Sequence, residues 1–156
     1  MIIERPEKEE FAGLVREYGV PKLKQKEIHF NFDYEDDYPE CKGEAVLEIL
    51  NEEGLRVGVK HREGTIYVLP QGRVMTSEPF IDGAKREALE ETGFDVEILT
   101  LKEVRTVDIQ FTNELLNRWY FLFECVISGG SPEPEDKDEI GSVDFFEEVP
   151  WKMDLY

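Results

Sequence analysis

The sequence predicts a single domain of the α+β class, and three observations support this. At 156 residues the chain has the length of one domain that can bury a core. Two segments place apolar residues at the spacing of a helix face, whereas several shorter ones are rich in the β-branched and aromatic residues of strands. Hydrophobic residues make up 40% of the chain, so its many acidic residues do not imply disorder.

The elements of the first half follow from local patterns. Phe11, Leu14 and Tyr18 recur at helical spacing before Gly19, which suits a helix end. Alternating residues predict a strand next, and Gly54 marks a turn between two further strand candidates. The elements predicted before residue 70 are a helix over 7–18, strands over 28–32, 44–50, 55–60 and 65–69, and an acidic loop over 34–39.

Two long strands and a loop are predicted for the second half. Thr112, Asn113 and Glu114 interrupt two apolar runs and suit the tip of a hairpin. The segment that follows the second run is rich in Gly, Pro and acidic residues, as loops are. The predicted elements are strands over 96–111 and 115–127, a loop over 129–141, a last strand over 143–146, and a tail over 149–156 that barely allows one helical turn.

The most informative segment, residues 72–94, reads GRVMTSEPFIDGAKREALEETGF. We expect the preceding strand to end at Pro70 and a loop to follow at Gln71, while Pro79 suits the first position of a helix that Gly93 ends. The segment fits the pattern G-x5-E-x7-R-E-U-x-E-E-x-G-U, where U is apolar. Its fixed positions are Gly72, Glu78, Arg86, Glu87, Glu90, Glu91 and Gly93, with Ala88 and Phe94 in the apolar positions.

Three glutamates of the predicted helix project to one side. Glu87, Glu90 and Glu91 are related by i, i+3 and i+4, so their like charges repel unless a cation lies among them. A hard divalent cation such as magnesium prefers carboxylate oxygens. The alternative is an acidic, solvent-exposed helix face, which is the usual meaning of such a charge run. The glycines at either end of the segment, together with Glu78 and Arg86, favour the metal-binding interpretation.

Residues 72–94 resemble the signature box of the Nudix hydrolases. The resemblance implies a Nudix fold, in which a mixed β-sheet is sandwiched between α-helices, over residues 43–156. Residues 1–42 are then an N-terminal helix and strand extension that packs on this domain. Relatives usually end in a second helix that covers the other sheet face, and this chain stops where that helix should begin. The helix over 7–18 or a partner subunit in a homodimer is expected to supply the cover.

The resemblance also implies a mechanism in which metal-activated water attacks phosphorus. Mg²⁺ is the expected ion, with Mn²⁺ as a substitute. The side chain of Arg86 is expected to hold a carboxylate of the box, Glu78 first, through a charge-assisted hydrogen bond. Glu87 either binds metal or orients a water. The implied metal ligands are the carbonyl of Gly72 and the carboxylates of Glu87, Glu90 and Glu91, and the implied catalytic residues are Glu87, Glu91, Arg86 and Glu139.

The identity of the general base stays open between a glutamate of the box and an acid of the later loop. Glu139 is the first choice because it precedes an apolar residue before the last strand, and Glu135 is the second. A solvated acidic loop is an equally good interpretation of either residue. His29 and His61 are weak candidates, since a lone histidine is more often structural or exposed.

The implied reaction is cleavage of the pyrophosphate bond in a nucleoside diphosphate linked to another moiety. Residues 69–72, LPQG, also resemble the dinucleoside polyphosphate and RNA 5′-pyrophosphate hydrolases, although Arg73 stands where those have a second glycine. A catalytically silent nucleotide sensor is a third hypothesis. Arg73, Arg105 and Arg118 are candidates for substrate binding, with a surface, core or dimer role as the alternative for each.

Composition limits the partners. The net charge of -18 argues against binding to DNA or to anionic membranes, because no basic stripe exists to neutralise phosphates. A small nucleotide remains compatible, since a metal sets the local field. No hydrophobic leader is apparent, so a cytoplasmic protein is expected. Cys125 lies in an apolar run and is expected to be a buried thiol, and nothing indicates a disulfide with Cys41.

Overall fold

A computed structural model describes residues 1–35 and 40–156 of the chain. The predicted acidic loop over 34–39 lies mostly outside the described residues. The elements in chain order are β1 (Ile2–Glu4), α1 (Lys8–Tyr18), β2 (Lys22–His29), β3 (Cys41–Leu50), β4 (Arg56–His61), β5 (Gln71–Met75), α2 (Phe80–Thr92), β6 (Phe94–Gln110), β7 (Leu115–Gly130), β8 (Ile140–Phe146) and a 3-10 helix (Lys152–Leu155).

The described strands form one mixed sheet of eight strands. Its main order is β2-β6-β7-β3-β4-β8, with β1 added to β7 and β5 added to β3. The pairs β2–β6, β3–β7 and β1–β7 are parallel, whereas β6–β7, β3–β5 and β4–β8 are antiparallel. The α+β class with a mixed sheet is therefore confirmed. Along the described part of the chain, no helix has the length and apolar character needed to cross a bilayer.

Both boundaries of α2 were predictable from the sequence, because a proline suits the start of a helix and a glycine suits its end. Pro79 precedes the helix, and Gly93 ends it in the left-handed conformation at φ 82°. A Cβ atom at Gly93 would lie 2.1 Å from the Glu133 carbonyl oxygen and 2.4 Å from that of Ser131. Glycine is thus required both by its backbone angle and by the close approach of the loop after β7.

The core on one face of the sheet is covered by both α-helices. Leu14 of α1 and Phe80 of α2 are buried against residues of β7, among them Phe121 and Phe123. The ring of Phe80 lies 4.6 Å from that of Phe121, and the ring of Phe11 lies 6.0 Å from it. Burial of this apolar surface, at about 25 cal/mol per Å², is the main force that holds the helices to the sheet.

The opposite face of the sheet is covered by the end of the chain. Trp151 and Met153, beside and within the 3-10 helix, pack with Val46 of β3, Val107 of β6 and Tyr120 of β7. These strand residues alternate with those of the first core, as the two faces of a sheet require. Within the described residues, the cover of this face therefore includes a single short turn of helix and the residue before it, where relatives have a second helix.

The position of α1 shows that the hypothesis placing the helix over 7–18 on this second face is wrong. The helix itself is present, but it lies beside α2 on the first face. The Glu10 carboxylate of α1 accepts a 3.0 Å hydrogen bond from the backbone N of Phe80 and a 2.7 Å one from Lys42 Nζ. The first turn of a helix has unpaired N–H groups, so this carboxylate stabilises the start of α2.

The segment before α2 corrects a second expectation. The strand predicted over 65–69 is reduced to one bridge between Val68 and Val59, and the loop expected at Gln71 and Gly72 is instead β5. Its residues pair with β3, where Ala45 lies opposite Gly72. Pro and Gly resemble loop residues locally, but pairing with a distant strand overrides that local signal.

Other boundaries shift for the same reason. β2 begins at Lys22 rather than at 28, because its exposed, charged first half pairs with β6 at the edge of the sheet. β7 extends to Gly130 and β8 begins at Ile140, so the loop between them spans 131–139. The predicted hairpin tip at 112–114 is confirmed by a 2.8 Å hydrogen bond from the Phe111 N to the Glu114 carbonyl. The prediction of a buried Cys125 thiol is also confirmed.

Candidate active site

A cleft of about 730 Å³ lies where β5, α2 and the loop before β8 come together. One part of its lining is polar and includes Gly72, Glu87, Glu91 and Glu139. We call these four residues the carboxylate site. All four were singled out from the sequence, and the fold brings them to one cleft although Glu139 is 48 positions after Glu91 in the chain.

The Glu87 carboxylate lies directly against the backbone of β5. A Cβ atom built on Gly72 would fall 2.0 Å from the carboxyl carbon of Glu87, so the Glu87 carboxylate would have to move away. Glycine at this position of a strand therefore permits the close approach of a helix side chain to the strand backbone. This contact places the backbone of Gly72 and the carboxylate of Glu87 side by side.

Glu91 is the most buried carboxylate of the site, with 4% of the residue exposed. Its Oε1 accepts a 2.9 Å hydrogen bond from the backbone N of Gln71. The Gln71 side chain in turn donates from Nε2 to Glu44 Oε1 at 3.3 Å. The position of Glu91 is thus set by β5 and, through Gln71, by β3.

Burial gives both carboxylates unusual proton affinities. Burial raises the pKa of Glu87 to about 7, with the neighbouring Glu90 and Glu139 adding to the shift and Arg86 opposing it. Burial likewise raises the pKa of Glu91 to about 8, because its hydrogen bond from Gln71 compensates only part of the cost. The site therefore holds negative charge that protons or a cation must neutralise.

Arg86 organises the carboxylates rather than facing a ligand. Its guanidinium makes a two-point contact with Glu78, at 2.7 and 3.1 Å, and donates to Glu87 at 2.9 Å and to Glu90 at 3.1 Å. A further 3.0 Å bond reaches the carbonyl of Arg73. The side chain has five N–H donors, and these five bonds occupy them. The contact with Glu78 expected from the sequence is present, and it lowers the pKa of Glu78.

A second group in the cleft consists of His61, Glu91 and Glu139. One ligand atom from each lies within 4.8 Å of the others. His61 Nδ1 lies 3.5 Å from Glu139 Oε1. Burial lowers the pKa of His61, and the nearby charge of Lys152 adds to the shift, so the neutral form of the ring is favoured. Burial and the neighbouring Asp136 raise the pKa of Glu139.

Backbone hydrogen bonds hold the loop that carries Glu139. The Asp136 N donates to the carbonyl of Glu90 at 2.9 Å, which ties the loop to the end of α2. The Glu139 N donates to Asp136 Oδ1 at 3.1 Å, and the Glu139 carbonyl accepts from the Arg62 N at 2.9 Å. Glu135, the second choice for the base, is exposed and does not line the cleft.

The donor set fits a hard divalent cation. Carboxylate oxygens of Glu87 and Glu91 lie beside the Gly72 backbone, and Glu90 is adjacent on the same helix side, held by Arg86 but outside the cleft lining. Such oxygen ligands suit Mg²⁺ or Mn²⁺. The raised pKa values of the half-buried Glu87 and the buried Glu91 agree with a site that binds added positive charge.

The three arginines predicted to bind substrate have different surroundings. Arg73 lines the cleft. Arg105 does not: its guanidinium lies 3.8 Å from the ring centre of Trp151 and pairs with Asp154 at 2.6 Å and with Glu103. The fold therefore does not bring Arg105 to the carboxylate site, because the Trp151 segment covers it.

Arg118 reaches the cleft lining but is buried in a network of ion pairs. It contacts Glu4 of β1 through two bonds of 2.8 and 3.0 Å and Glu44 of β3 at 3.0 Å. Cys41 Sγ also lies 2.8 Å from Glu4. Because Glu44 binds Gln71, this network connects β1 to the carboxylate site.

Sequence reasoning gave little weight to His61 and overlooked Lys152, which also lines the cleft. His61 lies opposite Ile140 where β4 pairs with β8, next to Glu139. Lys152 arrives from the tail after β8. Neither placement has a local sequence signal, since both depend on pairings and packing between distant segments.

The fold and the site define an α+β domain in which one helix presents carboxylates beside a glycine of the adjoining strand. Residues 42–151 match the family model of the NUDIX domain. The chain therefore belongs to the Nudix family, and the resemblance seen in residues 72–94 is confirmed. The predicted enzyme class, a Nudix pyrophosphohydrolase, follows from that membership.

Solved structures of three Nudix proteins have the same fold as this chain. An ADP-ribose pyrophosphatase from Streptococcus suis is 19% identical, with a TM-score of 0.51 over 70% of this chain and 78% of that one. A UDP-X diphosphatase is 20% identical, with a TM-score of 0.54 over 94% of this chain, which spans only 63% of that protein. A NUDIX hydrolase from Nitrosomonas europaea is 21% identical, with a TM-score of 0.51 over 67% of this chain and 72% of that one. No curated protein matches the sequence.

Proposed function

We propose that the chain is a magnesium-dependent hydrolase that cleaves the pyrophosphate bond of a nucleoside diphosphate linked to another moiety. One observation carries the proposal: the half-buried Glu87 and the buried Glu91 of α2 lie against β5 at Gly72 and Gln71, and Glu139 lines the same cleft. Burial of such carboxylates is costly unless a cation binds them. A polyphosphate is the ligand that a carboxylate-held magnesium ion usually shares.

The proposed roles follow from the contacts. Glu87, Glu90, Glu91 and the carbonyl of Gly72 would hold the ion. When bound, magnesium would neutralise the charge of the diphosphate and lower the pKa of the attacking water. Arg86 acts as a positioning residue, because its five hydrogen bonds are all used within the protein.

Proton transfer is assigned to Glu139. Its raised pKa makes it a better proton acceptor than a glutamate of ordinary pKa, and His61 Nδ1, 3.5 Å from its Oε1, can pass the proton on. In the reaction, the water oxygen forms a bond to one phosphorus and the bridging P–O bond breaks, so two phosphate monoesters leave. Arg73 and Lys152, which line the same cleft, are placed to contact phosphate oxygens.

The test is turnover of a substrate panel with Mg²⁺, with Mn²⁺ and with EDTA. The panel contains ADP-ribose, UDP-sugars, NADH, diadenosine polyphosphates and RNA bearing a 5′-triphosphate. Wild type is compared with Glu91→Gln and with Glu97→Gln, which makes the same chemical change at an exposed position of β6. Metal-dependent release of two monoesters by wild type and Glu97→Gln, but not by Glu91→Gln, supports the proposal.

Other results of the panel would redirect the assignment. Preferential cleavage of diadenosine polyphosphates or of RNA ends would favour the alternative that the LPQG run suggests. Absence of turnover with retained nucleotide binding would favour the sensor hypothesis. A cytoplasmic location and a homodimer stay predictions, to be checked by fractionation and by light scattering.

A further inference from the structure

The end of the cleft away from the carboxylate site is aromatic. Its lining includes five rings, which we call the aromatic cluster: Phe30, Phe32, Tyr34, Phe111 and Tyr156. Phe30 and Phe32 stack at 4.8 Å, and Tyr34 lies 5.0 Å from Phe111. Phe32 and Tyr156 nevertheless remain 57% and 59% exposed, so much of their ring surface faces solvent beside the cleft. Both rings contact Phe30, so they form one contiguous apolar patch beside the cleft, and contiguous exposed patches mark ligand-binding grooves and interaction sites.

Backbone contacts hold the cluster in place. The Thr112 N donates to the Phe32 carbonyl at 3.2 Å, and the Tyr34 N donates to Asn113 Oδ1 at 2.7 Å. Both bonds join the segment after β2 to the tip of the β6–β7 hairpin. The Phe32 ring therefore lies on a segment that is hydrogen-bonded to the hairpin, and the Tyr156 ring, from the end of the chain, packs edge-on against Phe30 at 5.6 Å. Such contacts suit a preformed surface.

The distance between the two ends of the cleft matches a nucleotide. Leu116, Arg118 and Tyr120 alternate along β7 and line the cleft. Tyr120 pairs with Glu44 beside the carboxylate site, whereas Leu116 pairs with Ile109 near the aromatic cluster. Four residues of a strand span roughly 13 Å. An extended nucleoside diphosphate has a length of this order from its base, through the ribose, to its second phosphate.

Charge sets the direction in which a nucleotide would lie. Asp33 and Glu35 are part of the lining beside the aromatic cluster, and their carboxylates disfavour phosphate there. Arg73 and Lys152 are part of the same lining, and Lys152 acts electrostatically on Glu139, which places it near the carboxylate site. Phosphates are therefore disfavoured at the aromatic end, and a magnesium ion that neutralises the carboxylates would favour them at the other end.

We infer that the aromatic cluster binds the base of the substrate, with the exposed faces of Phe32 and Tyr156 as the stacking surface. This inference rests on the proposed function, since it assigns the base end of the same substrate. Stacking of a base on an aromatic side chain contributes about 1–3 kcal/mol and accepts any base, because each has a flat π-face. The cluster thus selects nucleotides over diphosphates that lack a ring.

The test measures binding by calorimetry with Mg²⁺ present. The probes are the non-hydrolysable α,β-methylene diphosphates of adenosine and uridine, and methylenediphosphonate, which has no base. Phe32→Leu should weaken binding of the better nucleotide about tenfold and leave methylenediphosphonate unchanged. Phe32→Tyr should restore nucleotide affinity. Phe146→Leu, which alters an aromatic pair with Tyr67 outside the cleft, should change neither.

Either of two results would overturn the inference: equal loss for the nucleotide and methylenediphosphonate, or no loss for either in Phe32→Leu. The readout does not require turnover, so it separates this inference from the proposed function. Base-dependent binding without cleavage of any substrate would support the base site and refute the proposed hydrolase activity. If instead Phe32→Leu cleaves the substrate as fast as wild type does, and diphosphates with and without a base are cleaved equally fast, the hydrolase proposal is supported and the base site is refuted.

Discussion

Replacing Glu91 by glutamine should stabilise the metal-free protein while destroying its activity. The glutamine Oε1 can still accept the hydrogen bond from the Gln71 N, so the change removes the charge and little else. Burial raises the pKa of Glu91 from 4.5 to about 8. At about 1.4 kcal/mol per pKa unit the whole shift amounts to about 5 kcal/mol, and relaxation of the site reduces this to about 2 kcal/mol.

The sign of the effect depends on pH. The pKa of Glu91 is higher in the folded state than in the unfolded state. Below pH 4.5 the carboxyl is protonated in both states, so it does not lower the free energy of unfolding. The cost grows as pH rises from 4.5 and is complete above pH 8. The advantage of Glu91→Gln in EDTA should therefore be absent near pH 4.5 and reach roughly 4–8 °C in Tm at pH 8.5.

The assay is thermal unfolding of wild type, Glu91→Gln and the exposed control Glu97→Gln, across pH and with or without Mg²⁺. Addition of Mg²⁺ should raise the Tm of wild type and of Glu97→Gln and leave that of Glu91→Gln nearly unchanged. Turnover of Glu91→Gln should fall at least about 100-fold. If the Tm of Glu91→Gln at pH 8.5 in EDTA is equal to or lower than that of wild type, the ionised Glu91 carboxylate does not destabilise the metal-free fold.

Three further changes test the remaining contacts. Gly72→Ala puts a Cβ atom 2.0 Å from the Glu87 carboxyl, so titration should show at least tenfold weaker Mg²⁺ binding. Arg118→Met leaves the buried Glu44 without its cation and should lower the free energy of unfolding by about 3–5 kcal/mol in urea; no change would show that water replaces the arginine. Affinity for Mg²⁺ should fall as pH drops from 8 to 6, because Glu87 and Glu91 then take up protons; a flat calorimetric profile would contradict this.

Features with a local cause were predictable from the sequence. The helix over 80–92 depends on Pro79, on its apolar spacing and on Gly93, all of which act within a few residues. The grouping of Glu87, Glu90 and Glu91 on one side follows from helix geometry alone. Features set by distant pairing were missed. β5 forms only because β3 lies alongside it. α1 lies next to α2 because Glu10 accepts a hydrogen bond from the Phe80 N and Phe11 packs on Phe121 of β7.

The sequence by itself therefore determined the family, and it predicts a cation-binding side of α2 and Glu139 as the first of several candidates for the base. Tertiary structure alone decided that Arg118 forms ion pairs with Glu4 and Glu44, and that His61 lies beside Glu139. It also decided that the tail, rather than α1, covers the second face of the sheet. The reason is physical: helix spacing is a property of neighbouring residues, whereas strand register and ion pairing join residues that the chain separates by scores of positions.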